Sequence, residues 1–99
     1  MSGIVYDKFG LRLELTGDAV LIRSLSLFGG RQRFAVSFAS IDGIHIKWTG
    51  LTTLLTDDGL TYPLRLGGRA NEVATAIRDA AALSGSHVPI ELGADPRRN

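Results

Sequence analysis

The chain contains no cysteine, which removes disulfide frameworks, thiolate nucleophiles, iron–sulfur centres and thiol zinc sites together. Packing alone must hold whatever fold it adopts. Histidine is nearly as scarce, with only His45 and His87, and two scattered imidazoles do not supply the three or more converging ligands of a metal centre. Net charge is small as well, since 11 Lys+Arg against 10 Asp+Glu leave a formal +1. The long-range field that draws a protein onto nucleic acid or an anionic bilayer is therefore almost missing, and such binding would need a local patch. No stretch of about 18 apolar residues occurs, and the first ten residues lack a basic segment followed by an apolar one. Neither a membrane-spanning helix nor a secretory leader is expected, and a cytoplasmic protein is. With 99 residues, 44% of them hydrophobic, the chain supports a single core and cannot divide it.

What is present falls into two textures that meet at Gly67-Gly68. Before the glycines, short alternating segments are separated by turn residues, the pattern of a strand meander. Ile4 to Tyr6 is a short first strand. Leu11, Leu13 and Leu15 alternate with Arg12, Glu14 and Thr16, so a leucine face turns inward. Gly17-Asp18 leads into Ala19 to Phe28, whose alternation breaks around Ser24 to Leu27, where a bulge or a change of sheet is expected. Gly29-Gly30 turns the chain into Arg31 to Phe38, with Phe34, Val36 and Phe38 on one face and Arg31 and Arg33 on the other. Ile41 to Trp48 sets Ile44, Ile46 and Trp48 inward and His45 and Lys47 opposite. Leu51 to Thr56 follows, Asp57-Asp58-Gly59 signals a hairpin, and Leu60 to Leu66 returns with Leu60, Tyr62, Leu64 and Leu66 in phase. Pro63 cannot donate to a ladder, so this last strand is expected at a sheet edge.

After the glycines, Ala70 to Leu83 is alanine-rich and free of Gly and Pro. Its stripe of Ala70, Val73, Ala74, Ile77, Ala80 and Ala81 recurs at three and four, which gives one amphipathic helix that Ser84-Gly85 ends. Val73 and Ile77 are the large β-branched residues of that stripe and are expected to plug the core. Beyond them Pro89 prevents a continuation of the helix, while Val88, Ile90 and Leu92 lie at period two. The expected organisation is one domain over residues 1–85 and an arm with a flexible tail over 86–99. The arm is expected to add a strand to an edge in its own or a neighbouring chain, with Gly93 to Asn99 mobile.

Seven short strands and then one helix, with Gly17-Asp18-Ala19-Val20-Leu21-Ile22-Arg23, the Gly-Gly-Arg turn at Gly29 to Arg31, Ser40-Ile41-Asp42-Gly43-Ile44 within Val36 to Ile46, and the Asp-Asp-Gly hairpin, make the chain resemble the bacterial pleckstrin-homology-like (PH-like) class. The resemblance runs from about Ile4 to Leu83. It implies a mainly β, α+β fold: a bent antiparallel barrel of about seven strands whose open end one C-terminal helix caps. The capping-helix tryptophan usual in eukaryotic members is missing, and the one tryptophan, Trp48, lies in a strand segment. Lipid-binding members meet phosphoinositide headgroups with clustered Lys and Arg between the first two strands. Here that loop is Asp7-Lys8-Phe9-Gly10, followed by Arg12, and the cluster is not reproduced.

Catalysis finds little footing. Asp42 is three residues from His45 on a strand and so faces the other way, and Asp57-Asp58 before Gly59 is explained by turn chemistry. Gly67-Gly68-Arg69 lacks the multi-glycine run of a phosphate loop and reads as a linker into the helix. Phe28, Phe34, Phe38 and Trp48 are in phase with core positions, with Tyr6, Phe9 and Tyr62 the exceptions to that phase; the aromatics are expected to fill the barrel, and base stacking, and nucleic acid as a partner, are not expected. The candidate anion or partner patch is Arg31 and Arg33, joined by Lys47 and Arg65 if their strands neighbour one outer face. The candidate partner-binding arm is Val88, Ile90 and Leu92. The expectation is a non-catalytic PH-like binding module without cofactor, acting through protein contacts and self-association, because the Thr49 to Thr56 arm and the Val88 to Leu92 tail are nearly uncharged and suited to strand pairing. A weak peripheral-membrane module using Arg31, Arg33 and Lys47 and a small structural subunit of a phage-like or other assembly are the alternative readings.

Overall fold

The computed structural model describes residues 3–25 and 31–93, the side chains of Leu25 and Arg31 excepted. Eight strands and one helix follow in chain order: β1 (Gly3–Lys8), β2 (Leu11–Leu15), β3 (Ala19–Leu25), β4 (Arg31–Ser37), β5 (Ile41–Ile46), β6 (Leu51–Thr56), β7 (Thr61–Arg65), α1 (Ala70–Leu83) and β8 (Ile90–Leu92). They build two four-stranded sheets, ordered β1-β2-β3-β4 and β7-β6-β5-β8. The fold is mainly β, with a single helix toward the C-terminal end of the described residues. Consecutive strands pair antiparallel from β1 to β4 and again from β5 to β7, and β7, which contains Pro63, is an edge strand.

Turn chemistry sets these registers. Lys8 and Leu11 pair across a two-residue turn in which Phe9 has φ 53° and Gly10 φ 78°, the doubly left-handed arrangement that follows the twist of the flanking strands. The β5–β6 and β6–β7 turns use another plan, a hydrogen-bonded turn closed by a glycine of positive φ. Gly50 N–H donates to Lys47 O at 2.8 Å, and Gly59 N–H donates to Thr56 O at 3.1 Å. At Gly50, with φ 87°, nothing else fits: a Cβ would stand 2.7 Å from the Gly67 Cα. In the β6–β7 turn the Thr56 hydroxyl and the Leu60 N–H both donate to the Asp58 carboxylate, the latter at 3.2 Å. These bonds hold that carboxyl below its ordinary pKa, the Thr56 contact first.

The core lies between the sheets and under the helix. Leu13, Val20 and Leu54 are each 0% exposed, and so are Val73, Ala74 and Ile77 of α1, which packs against β1, β5 and β8. The helix has the bounds that its composition implies. At its end Gly85, with φ 87°, lets its N–H donate to Ala82 O at 3.1 Å and that of Ser86 to Ala81 O at 2.8 Å. This pair of bonds satisfies carbonyls that the last turn would otherwise leave open. At the start, the Tyr6 hydroxyl donates to Arg65 O at 3.2 Å, and the Arg69 guanidinium lies 5.9 Å from the Tyr6 ring centroid. Arg69 also donates to Glu72 at 3.2 Å and to Val5 O at 3.5 Å, tying β1, the end of β7 and the first helical turn together.

Several expectations are corrected. The chain changes sheet at the 3-10 turn Phe38–Ser40, whereas β3 stays in continuous register with both neighbours from Val20 to Ser24. The remainder of the expected break, the Gly29-Gly30 turn and Phe28 fall in residues 26–30, outside the described residues, as does 94–99 of the tail. The sheets are not wholly antiparallel, because β8 runs parallel to β5. The Thr49 to Thr56 segment is no free edge, since β6 lies between β5 and β7. His45, on the face of β5 opposite Ile44 and Ile46, is nevertheless 1% exposed, with Thr53 and Glu91 as its register partners. The aromatics divide: Phe38 and Tyr6 are buried, Phe34 and Tyr62 meet edge-on at 5.3 Å near the surface, and Trp48 is 92% exposed.

Candidate interaction site

Three clefts meet at Gly67. The first, about 470 Å³, lies between Trp48, Leu92 and Asn71 at the start of α1. A second of about 360 Å³ is bordered by Thr49, Leu51 and Arg65, and a third of about 340 Å³ by Lys8, Phe9 and Arg69. The β1–β2 turn, the β5–β6 turn and the entry to the helix therefore share one end of the molecule. The β5–β6 turn rests on the backbone of Gly67, which is why Gly50 must lack a side chain.

Three large apolar side chains stand in solvent here: Phe9 at 97%, Trp48 at 92% and Leu92 at 70% exposure. The local cause is clear for the two aromatics. Trp48 follows the last paired residues of the ladder, Ile46 and Thr52, so the alternation that buries Ile44 and Ile46 has ended before it. Phe9 is the first of the two turn residues between β1 and β2. No packing requirement places a tryptophan or a phenylalanine at such positions, and each gives up the transfer free energy of an aromatic ring by staying in water. Scattered surface apolar residues are ordinary, whereas clustered ones mark contact surfaces.

The charges around this end are mixed. Lys47 is half-buried, Arg65 is exposed, and Arg69 is already engaged by Glu72. Glu91 adjoins Leu92 on β8, and Glu72 follows Asn71 on the helix. Of the four cations grouped from the sequence, Lys47 and Arg65 border neighbouring clefts that share Gly67. Arg33 belongs to the other sheet, where it lies opposite Arg23. The Arg31 side chain lies outside the described residues. The arm residues meet three different fates. Val88 is buried at 1%, Ile90 packs half-buried against the core, and Leu92 stands at the rim of the largest of the three clefts. The arm joins its own chain: Ile44 N–H donates to Pro89 O at 2.9 Å and Gly93 N–H to Ile46 O at 3.0 Å.

Sequence reasoning passed over Trp48, Phe9 as a tip residue, and Arg23. For the aromatics a signal existed, since Phe9-Gly10 and Trp48-Thr49-Gly50 each place a glycine one or two residues after the ring, as a hairpin tip does. Among the described residues no group of three or more His, Asp or Glu side chains converges, and no helix is long and apolar enough to cross a membrane. No protein-family model matches the chain, and no curated protein matches it.

Proposed function

We propose that this chain is a non-catalytic binding module of the PH-like type that acts through protein contacts, with a second copy of itself as the partner. Seven strands in an antiparallel meander across two sheets, followed by a helix against the core, support the PH-like reading. The observation that carries the functional reading is Trp48, 92% exposed beside exposed Leu92 on a cleft of about 470 Å³. Tryptophan and arginine dominate the energetics of protein contacts, and Arg65 borders the adjoining cleft. Cations and carboxylates both lie near this end, so two copies have opposite charges to offer each other. The contact proposed here uses the Trp48 end rather than the arm, since β8 pairs with β5.

Trp48 is the sole tryptophan, and its emission reports directly on that surface. In a dilution series from about 1 mM to about 1 μM, a range that brackets weak dimerisation, the emission is expected to move from that of a shielded indole to that of a solvated one. A solvated spectrum at every concentration would rule out self-contact through this end.

A further inference from the structure

Strand register lines up three arginines that are far apart in the sequence. Arg12 of β2 lies opposite Arg23 of β3, and Arg23 lies opposite Arg33 of β4. Directly opposed residues share one face of a sheet with their Cβ atoms about 5 Å apart, so these side chains form a row across three strands. The face is the outer one, since Leu13 and Ile22, their neighbours along β2 and β3, are buried. Like charges set opposite each other destabilise a sheet. One member is compensated, with Arg12 Nη2 3.2 Å from Asp7 Oδ2. Arg23 and Arg33 are exposed and make no ion pair among the described residues. The next row on the same face is Glu14, Leu21 and Ala35, of which Leu21 is half-buried and Ala35 exposed.

We infer that this outer face of the first sheet docks an acidic protein segment, with carboxylates on Arg23 and Arg33 and an apolar side chain against Leu21 and Ala35. The guanidinium fork matches a carboxylate with two parallel hydrogen bonds. A free small anion on an open sheet would be held by solvated charges alone, and such pairs contribute little. A nucleic-acid backbone would meet the arginines and leave the Leu21–Ala35 strip uncovered. Asp7 and Glu14 are the carboxylates on this side of β1 and β2. They turn the partner's acids toward the β3–β4 side of the row. The surface shares no residue with the clefts at Gly67, so it stands or falls independently of self-association.

The test is fluorescence anisotropy with three labelled probes of equal charge: a synthetic peptide of alternating Glu and Leu, a poly-glutamate peptide, and a single-stranded oligonucleotide. The alternating peptide is expected to bind most tightly, and Arg23→Thr or Arg33→Thr to weaken it by roughly tenfold or more. Leu21→Thr is expected to weaken the alternating peptide and leave poly-glutamate unchanged. Because the row works against the sheet, Arg23→Thr is also expected to melt no lower than the parent chain. Preference for the oligonucleotide, absence of peptide binding, binding indifferent to both arginine variants, or a lower melting temperature of Arg23→Thr would each overturn the inference.

Discussion

Replacing Phe9 with asparagine should make the protein more stable. Phe9 is the one non-glycine residue with positive φ among the described residues, at 53°, and Gly10 follows at 78°. The left-handed region costs an L-residue with a Cβ about 1–2 kcal/mol. Asparagine is enriched there several-fold, and Asn-Gly is the favoured pair for this two-residue turn. On the other side of the balance stands the phenyl ring, 97% exposed, whose removal opens no cavity and withdraws almost no buried area. The two terms leave a net gain of about 1 kcal/mol, which in a domain of this size raises Tm by about 4–8 °C. Urea unfolding should show a higher midpoint with an unchanged slope, because the surface exposed on unfolding hardly alters. The same substitution is expected to weaken self-association, since Phe9 borders the end at which Trp48 and Leu92 stand. A Tm equal to or below that of the parent would refute the reasoning, for it would mean that the ring contributes to the fold more than the turn costs.

Ile77 of α1 is fully buried, and Ile77→Ala is expected to lower stability by about 2–5 kcal/mol; an unchanged melting curve would mean that the helix does not close the core. Ending the chain after Gly85 removes Val88, 1% exposed, together with the β5–β8 ladder, and a loss of at least about 2 kcal/mol in urea unfolding is expected. An unchanged midpoint would show that the arm is not part of the fold. Asp58, whose carboxyl is held below its ordinary 3.8 by the Thr56 and Leu60 hydrogen bonds, contributes stability that is present above that value and lost as pH falls through the lower, folded one. Asp58→Asn should flatten the acid limb below about pH 4, and in Thr56→Ala the Asp58 carboxyl resonance should titrate closer to its ordinary pH.

The helix and the turns were legible because they depend on local chemistry. Ala70 to Leu83 is bounded by glycines on both sides, and its stripe needs no partner to be recognised. Gly10, Gly50 and Gly59 each mark a place where the backbone needs positive φ. Edge status was legible at Pro63 for the same reason. What escaped was whatever depends on register or on a distant element. The inward phase assigned to Trp48 assumed that β5 continues past Ile46, but the hydrogen-bonded turn starting at Lys47 breaks the alternation. His45 was placed opposite Ile44 and Ile46, and its burial there is not something the alternation of β5 alone shows. Arg23 entered only as the end of the Gly17 to Arg23 segment, because nothing in the sequence sets it between Arg12 and Arg33; only the pairing of β2, β3 and β4 does. Lys47 and Arg65 were joined to the cation patch on the condition that their strands neighbour one outer face, and two separate sheets place Arg33 in one and Arg65 in the other.

Sedimentation velocity on the parent chain and on Trp48→Ser tests self-contact through the hairpin end most directly. Trp48 is 92% exposed, so the substitution should change folding stability by no more than about 0.5 kcal/mol, and a matched melting curve secures the comparison. From about 10 μM to about 500 μM, a span that covers weak dimers, the parent chain is expected to shift from monomer toward dimer while Trp48→Ser remains a monomer. Two equally stable proteins that sediment alike over that range, whether both monomeric or both dimeric, would contradict the assignment of Trp48 to the contact.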